Sequence, residues 1–300
     1  MTTKTTSAVE EHISQVIGGI NNLPTPPLVF TQIQKVVNNP NTSAYDIASI
    51  LQEDPAISAK VLKLTNSVFY GIPRAVESVK QAVVIIGLES VKNLVLSASV
   101  FDAFSKEQIN AEFQESFWRH SLATAFAARL LAHRLHAKQS FDSERGFSAG
   151  LLHDIGKMVI SVYMPSESRE ILKLKKADPR KPDFMHEEMV LGYNHTQIGA
   201  LLGEKWALPE ALVEAVKFHH FPELSDNPQN SLPHLTHFGN YLAKITFDVD
   251  PESGDESHIP PINDPVTRLT GVTGTDLHKF STVLREEFFK SETFLELAKG

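Results

Sequence analysis

Cysteine is absent from the 300 residues, and that absence removes several classes of protein at once. A disulfide framework, a thiolate zinc site and a cysteine nucleophile are all excluded. No run approaches the roughly 18 consecutive apolar residues of a membrane span. The opening MTTKTTSAVEEH is polar and lacks a signal-peptide core, so no membrane association is expected. Positive charge is in deficit, since 28 Lys and Arg against 36 Asp and Glu give a formal net charge of −8. General nucleic-acid binding needs clustered cations to displace counterions from phosphates and is not expected here. Receiver, nucleotidyl-cyclase and kinase motifs are missing as well. With 42% hydrophobic and 21% charged residues, the composition is that of a soluble globular protein, and the cytoplasm is the expected compartment.

What the chain does have is histidine, thirteen of them, the obvious metal ligands where thiolates are lacking. The stretch Phe147 to Ile160, FSAGLLHDIGKMVI, sets His153 beside Asp154 in an apolar run. Leu151, Leu152, Ile155, Met158 and Val159 follow the i, i+3, i+4 rhythm of a helix with one buried face, which puts the pair at the edge of a core. A buried imidazole and carboxylate need a partner, and a divalent metal satisfies both. Taken alone, a His-Asp dipeptide fits a core histidine bonded to its neighbour better than a ligand pair. Lys157 follows one turn beyond His153.

Ahead of this stretch every element reads as helical. A short helix over Val9 to Ile20 precedes the stiff Leu23-Pro24-Thr25-Pro26-Pro27 turn. Helices are predicted over Leu28 to Val37, Ala44 to Glu53 behind Thr42-Ser43, and Ala56 to Asn66 behind Asp54-Pro55. Ser78 to Ile86 follows, stopped by Gly87, and then a long apolar helix over Ser90 to Phe104. Short connections between such helices make a bundle.

Three runs in this half, LPTPPLVFTQI, DIASILQEDPAISAKVLKLTNSVFYG and IIGLESVKNLVL, resemble the N-terminal half of the HDOD domain. That domain is a bacterial signalling module related to the HD phosphohydrolase superfamily, and the likeness extends over roughly Ile20 to Pro222. It implies an all-α fold of two helical lobes, the second HD-like. The expected organisation is an N-terminal extension at 1–22, the domain at 23–222 divided into lobes at 23–105 and 106–222, and a helical extension at 223–300.

The resemblance also supplies a ligand set. His120, in FQESFWRHSLATAFAARLLAHRL, matches the first ligand helix of HD proteins. With it go His153, Asp154, His195 in FMHEEMVLGYNHTQIGALL (Phe184 to Leu202), and His219 and His220 at the end of the helix opened by Trp206 to Glu210. Such a set suits iron, manganese or zinc. In an active member, Asp154 and Lys157 would take the catalytic roles. Two departures weigh against activity. Asn240 stands where catalytic relatives have their last metal-binding aspartate, and Phe221-Pro222-Glu223-Leu224 follows the paired histidines in place of a Gly-Tyr-Pro signature. The implied function is therefore regulatory, through a signalling protein or a small ligand, with a metal-dependent phosphohydrolase of phosphoesters or nucleotides as the alternative. His12, His133, His136, His234 and His258 receive no role.

Beyond Pro222, Leu232 to Ile245 reads as one more helix, and 248–265, rich in Pro, Asp, Ser and Gly, reads as an exposed loop. Thr275 to Ala298 returns to helix with an apolar stripe of Leu277, Phe280, Val283, Leu284, Phe288 and Phe294. Packing on its own chain is the expected use of that stripe, and reception of a partner the other.

Overall fold

Several helices of this chain begin where a side chain can take the orphan N–H groups of a first turn. The structure is a computed structural model describing residues 28–37, 41–105, 109–135, 143–225, 231–248 and 272–299, with Ile13, Gly18, Leu23, Glu107 and Asn227. After α1 (Leu28–Val37), Ser43 caps α2 (Ala44–Gln52). Its hydroxyl accepts the Asp46 N–H, and the Asp46 carboxylate returns to the Ser43 N–H at 2.8 Å. Asp54 caps α3 (Pro55–Thr65) by accepting the Ile57 N–H at 3.0 Å, with proline at the first helical position. Ser78 caps α4 (Val79–Ile86), and Gly87, at φ 87°, turns the chain into α5 (Leu88–Ser105).

Next come α6 (Ala111–Leu135), α7 (Ser143–Leu152), α8 (Ile155–Tyr163) and α9 (Pro165–Ala177). The remainder is α10 (Asp183–Leu191), α11 (His195–Lys205), α12 (Glu210–Phe218), a single 3₁₀ turn at Pro222–Leu224, α13 (Leu232–Phe247), α14 (Gly274–Phe289) and α15 (Glu292–Lys299). The fold is all-α, with no strand among the described residues. No described helix is long and apolar enough to cross a membrane.

The chain forms two compact units. One comprises Pro24–Leu122 and Arg285–Gly300. Its core holds Ile33, Leu51, Ile57, Val61, Leu64, Phe101, Phe104, Trp118 and Phe294, with the Trp118 ring edge-on to Phe101 at 4.8 Å. The other comprises Met1–Leu23 and Ala123–Leu284, and its core includes Leu151, Leu152, Met158, Ile198, Leu212, Leu235 and Phe238.

Two stretches read as continuous helix, Phe147 to Ile160 and Thr275 to Ala298, are broken in the structure, and a glycine divides a third. The run from Phe147 to Ile160 is two helices, because α7 ends at Leu152 and Asp154 (φ −100°, ψ 8°) starts α8. Gly192, left-handed at φ 79°, divides Phe184 to Leu202 into α10 and α11. Lys290 and Ser291 separate α14 from α15. In the stripe on those last two helices, Phe280 meets Phe238 at 6.1 Å and Phe294 meets Phe69 at 5.8 Å, so these residues pack on their own chain. Apart from Ile13 and Gly18, the expected helix over Val9 to Ile20 lies outside the described residues, as do the prolines of residues 24–27, the expected loop after Asp248, and His12, His136 and His258.

Candidate metal centre

Two glycines let the helices that carry the centre approach. A Cβ built on Gly156 would stand 2.0 Å from the His195 carbonyl oxygen, and one on Gly199 would meet Val216 at 2.8 Å and the Gly156 nitrogen at 3.2 Å. The first turn of α8 is thereby laid on the first turn of α11. His195 opens α11 behind Asn194, whose side chain accepts the Thr196 N–H at 2.9 Å while Gln197 returns to the Asn194 N–H at 3.1 Å. His219 and His220 follow the last turn of α12. The break between α7 and α8 frees His153 and Asp154 from helical geometry, in which neighbouring side chains diverge by about 100°, and both turn into the same core.

Asp154 is the hub. Its Oδ1 lies 3.0 Å from His195 Nε2 and 3.6 Å from His219 Nε2, and its Oδ2 lies 3.3 Å from His153 Nε2 and 2.8 Å from Lys157 Nζ. His220 Nε2 reaches His195 Nε2 at 3.1 Å. The ligand atoms of Asp154, His195, His219 and His220 all lie within 4.8 Å of one another. His153, His195 and His219 are fully buried and Asp154 is 2% exposed, whereas His220 is half-buried.

The opposite nitrogen of three rings is already committed. His153 Nδ1 donates to the Gly150 carbonyl at 2.8 Å and His219 Nδ1 to the Val216 carbonyl at 2.9 Å, since a carbonyl can only accept. His195 Nδ1 donates to Glu187 Oε2 at 2.6 Å. In neutral rings, all three Nε2 atoms then present lone pairs to a carboxylate that is itself acceptor-only. Such a convergence of acceptors is reconciled by protons or by a cation. The residues therefore fit a divalent ion, and imidazoles with one carboxylate suit iron, manganese or zinc.

The electrostatics follow from burial set against these neighbours. Burial pushes the Asp154 carboxyl up, but the charges of His153, Lys157 and His195 outweigh it and hold the group well below the usual carboxylate range. Burial pushes His195 down, yet Glu187 and Asp154 raise it to about 9. His219, desolvated and beside two other imidazoles, falls to about 3, and His220 is lowered well below the ordinary histidine value for the same reasons. Lys157 also reaches Asp183 at 3.4 Å, and Lys175 reaches Asp183 at 2.9 Å. Lys157 thus stays charged between two carboxylates despite its burial.

Of the residues singled out in the sequence, His153, Asp154, His195, His219 and His220 come together, and Lys157 joins them through Asp154. His120 lies on α6 within Pro24–Leu122 and is half-buried. Asn240 lies on α13, 6% exposed, with its Oδ1 lacking a hydrogen-bond partner among the described residues. Three contributors escape the sequence pattern. Glu187 holds His195, His237 Nδ1 donates to the His219 carbonyl at 2.7 Å, and Asp183 anchors Lys157. His237, Asn240 and Lys244 recur at i, i+3 and i+7 on α13, a spacing that marks one helical face. Of the unassigned histidines, His133 is exposed and His234 half-buried.

Comparison with known proteins agrees with this architecture. A curated protein of Treponema pallidum (strain Nichols) with no characterised role is 26% identical over 201 residues, 67% of this chain. The chain spans 38% of that relative's length. Among solved structures, a Marinobacter aquaeolei VT8 protein provisionally named for signal transduction superposes with a TM-score of 0.77 at 22% identity, over 97% of this chain and 61% of that one. A Shewanella amazonensis SB2B protein provisionally named a phosphohydrolase gives 0.73 at 24% identity, over 94% and 97%. At such identities the likeness establishes the fold. The family model of the HDOD domain matches residues 23–222, two thirds of the sequence and the helices that carry the histidine cluster, and the chain belongs to the HDOD family.

Proposed function

We propose that this chain is a cytoplasmic regulatory module of signal transduction, which binds a signalling protein or a small ligand and holds a divalent ion within its fold. The observation that carries this reading is closure. Three histidines of the centre are fully buried, and the Lys157 ammonium, which phosphoryl transfer would need beside its substrate, is held by Asp154 and Asp183. Structural metal sites are closed, whereas catalytic ones keep a position open. Asn240 supports the same reading, because a neutral carboxamide supplies neither the charge nor the strong oxygen ligand of an aspartate. The name of the Marinobacter neighbour is in line with it.

The second reading, a metal-dependent phosphohydrolase acting on a phosphoester or nucleotide, is favoured by the half-buried His220 and by the name of the Shewanella neighbour. Asp154, His195, His219 and His220 would hold the ion, with His153 beside them; His120 is a ligand implied by the family resemblance. A bound ion would supply Lewis acidity and an activated water. In that reaction Lys157 would have to leave Asp183 to meet developing charge.

Elemental analysis after chelator-free purification, combined with a screen of phosphomonoesters, phosphodiesters and nucleotides in added manganese or iron, separates the readings. Near-stoichiometric metal without turnover is expected. Turnover that vanishes in both His153→Ala and Asp154→Ala, with the melting transition of each intact, would replace the regulatory reading by the enzymatic one. Absence of metal, together with no melting shift on adding iron, manganese or zinc, would leave the histidines as core residues.

A further inference from the structure

Two consecutive glutamates in the middle of α10 reach across the Gly192 turn to the start of α11, and they do different things there. Glu188 Oε1 accepts from the Asn194 side chain at 2.6 Å, with no hydrogen bond to an imidazole among the described residues. Glu187, 3% exposed, accepts with one oxygen, Oε2, both the backbone N–H of His195 at 2.7 Å and its ring Nδ1–H at 2.6 Å.

We infer that Glu187 is a positioning residue of the metal centre, which fixes the tautomer and tilt of His195 so that its Nε2 lone pair faces the ion. This rests on the metal-centre reading above. A single oxygen bonded to both the backbone and the ring of one residue leaves the imidazole little freedom to rotate. The proton is held at Nδ1, because a carboxylate cannot donate to it. Nε2 is then directed at Asp154 Oδ1, 3.0 Å away, and at His220 Nε2, 3.1 Å away. A carboxylate behind a ligating imidazole also raises its basicity, which tightens the bond to a cation. The Nδ1 atoms of His153 and His219 donate to neutral carbonyls, whereas that of His195 donates to a carboxylate, whose charge strengthens the ring as a donor to the ion.

A merely structural Glu187 would cap α11 and nothing more, and Glu188 provides the control, one residue away and also bonded to that helix start. Affinity for Zn²⁺ and Mn²⁺ is measured on the full chain by competition with a chromogenic chelator for wild type, Glu187→Gln, Glu187→Ala and Glu188→Ala. Glu187→Ala is expected to weaken binding by about 10–100-fold. Glu187→Gln keeps the acceptor without its charge and should fall between Glu187→Ala and wild type. Glu188→Ala should lower the melting temperature and leave affinity within about twofold, well short of the loss expected for Glu187→Ala. Proton NMR of the zinc-loaded protein gives a second readout, in which the His195 Nδ1–H appears downfield and slow to exchange in wild type and is lost in Glu187→Ala. Wild-type protein that binds neither ion overturns the metal reading and this role with it. Tight wild-type binding that Glu187→Ala leaves unchanged, or that Glu188→Ala weakens equally, overturns the role of Glu187 alone.

Discussion

The two units differ in how they satisfy some of their buried polar groups. In the unit built from Pro24–Leu122 and Arg285–Gly300, several buried polar groups are satisfied by nearby backbone. Thr65 and Ser97 donate to carbonyls one turn back, and Ser67 to the Leu64 carbonyl. In the unit containing Ala123–Leu284, His153, Asp154, Glu187, His195 and His219 face one another across separate elements. Locally closed polar groups require nothing from outside the chain. Polar groups facing one another in a low-dielectric core accumulate unreconciled acceptors, and the energy of that region then depends on what enters it, proton or ion. Ligand sensitivity should therefore reside in one unit and not in the other.

The largest test of that contrast uses glycine. Gly156→Ala places a methyl group against the His195 carbonyl and forces α8 and α11 apart, with an expected destabilisation of about 3 kcal/mol, the upper range for overpacking. It should also cut metal occupancy, because the same contact brings His195 to Asp154. Gly71→Ala, at a position with φ 58° and nothing within 4 Å of the added Cβ, should cost about 1 kcal/mol of backbone strain and leave occupancy intact. Urea denaturation and elemental analysis of both variants measure this. Equal loss of metal in the two would break the distinction.

A second test uses pH. In the metal-free protein His195 titrates at about 9, above its unfolded value of about 6.5, so its contribution is fully present below pH 6.5 and lost as pH rises through 9. His219 acts in the other direction: kept neutral by burial, it withdraws stability as pH falls from about 6.5 toward 3. A metal must displace the His195 proton, so affinity should rise about tenfold per pH unit up to about 9. The gap between loaded and metal-free melting temperatures should accordingly widen with pH. A gap that is flat or narrows contradicts the assignment of His195 as a ligand. Among the described residues of the first unit, exposed Asp46 and Glu115 have lowered carboxyls, and such solvent-screened groups cannot generate this dependence.

Local chemistry was readable in the sequence where one residue acts on the next turn. Ser43 and Asp54 cap helices as their positions imply, Ser78 caps the helix it was expected to open, and Gly87 ends that helix. The break at His153-Asp154 was hidden because the apolar rhythm runs on through Ile155, Met158 and Val159, all buried on one side of the break or the other. Periodicity records which residues face the core and not whether the backbone is continuous between them. Glu187 was hidden for a different reason. Its partner is eight residues away through a left-handed turn, and an adjacent Glu-Glu pair normally reads as a solvated face. The five clustered ligands came from family resemblance together with the His-Asp pair, because no spacing rule joins His153 to His219.

The smallest expected effect tests the first unit. Thr65 is fully buried on α3 and donates its hydroxyl to the Val61 carbonyl at 2.8 Å. Thr65→Val keeps the β-branched shape and removes the hydroxyl, while the Val61 carbonyl, one turn back in the same helix, keeps its own backbone partner. No buried group is orphaned, so the change should fall within about 1 kcal/mol of zero, and replacement of a satisfied polar group by an apolar isostere can even stabilise. Metal affinity and its pH dependence should match wild type, since the substitution touches nothing in the histidine cluster. Equilibrium denaturation with the chelator-competition assay checks both. A loss beyond about 2 kcal/mol would mean that the hydroxyl meets a need the helix does not supply, in the range of an unsatisfied buried group. A change in metal affinity would mean that the two units share their energetics, and the contrast between a self-sufficient region and a ligand-dependent one would no longer hold.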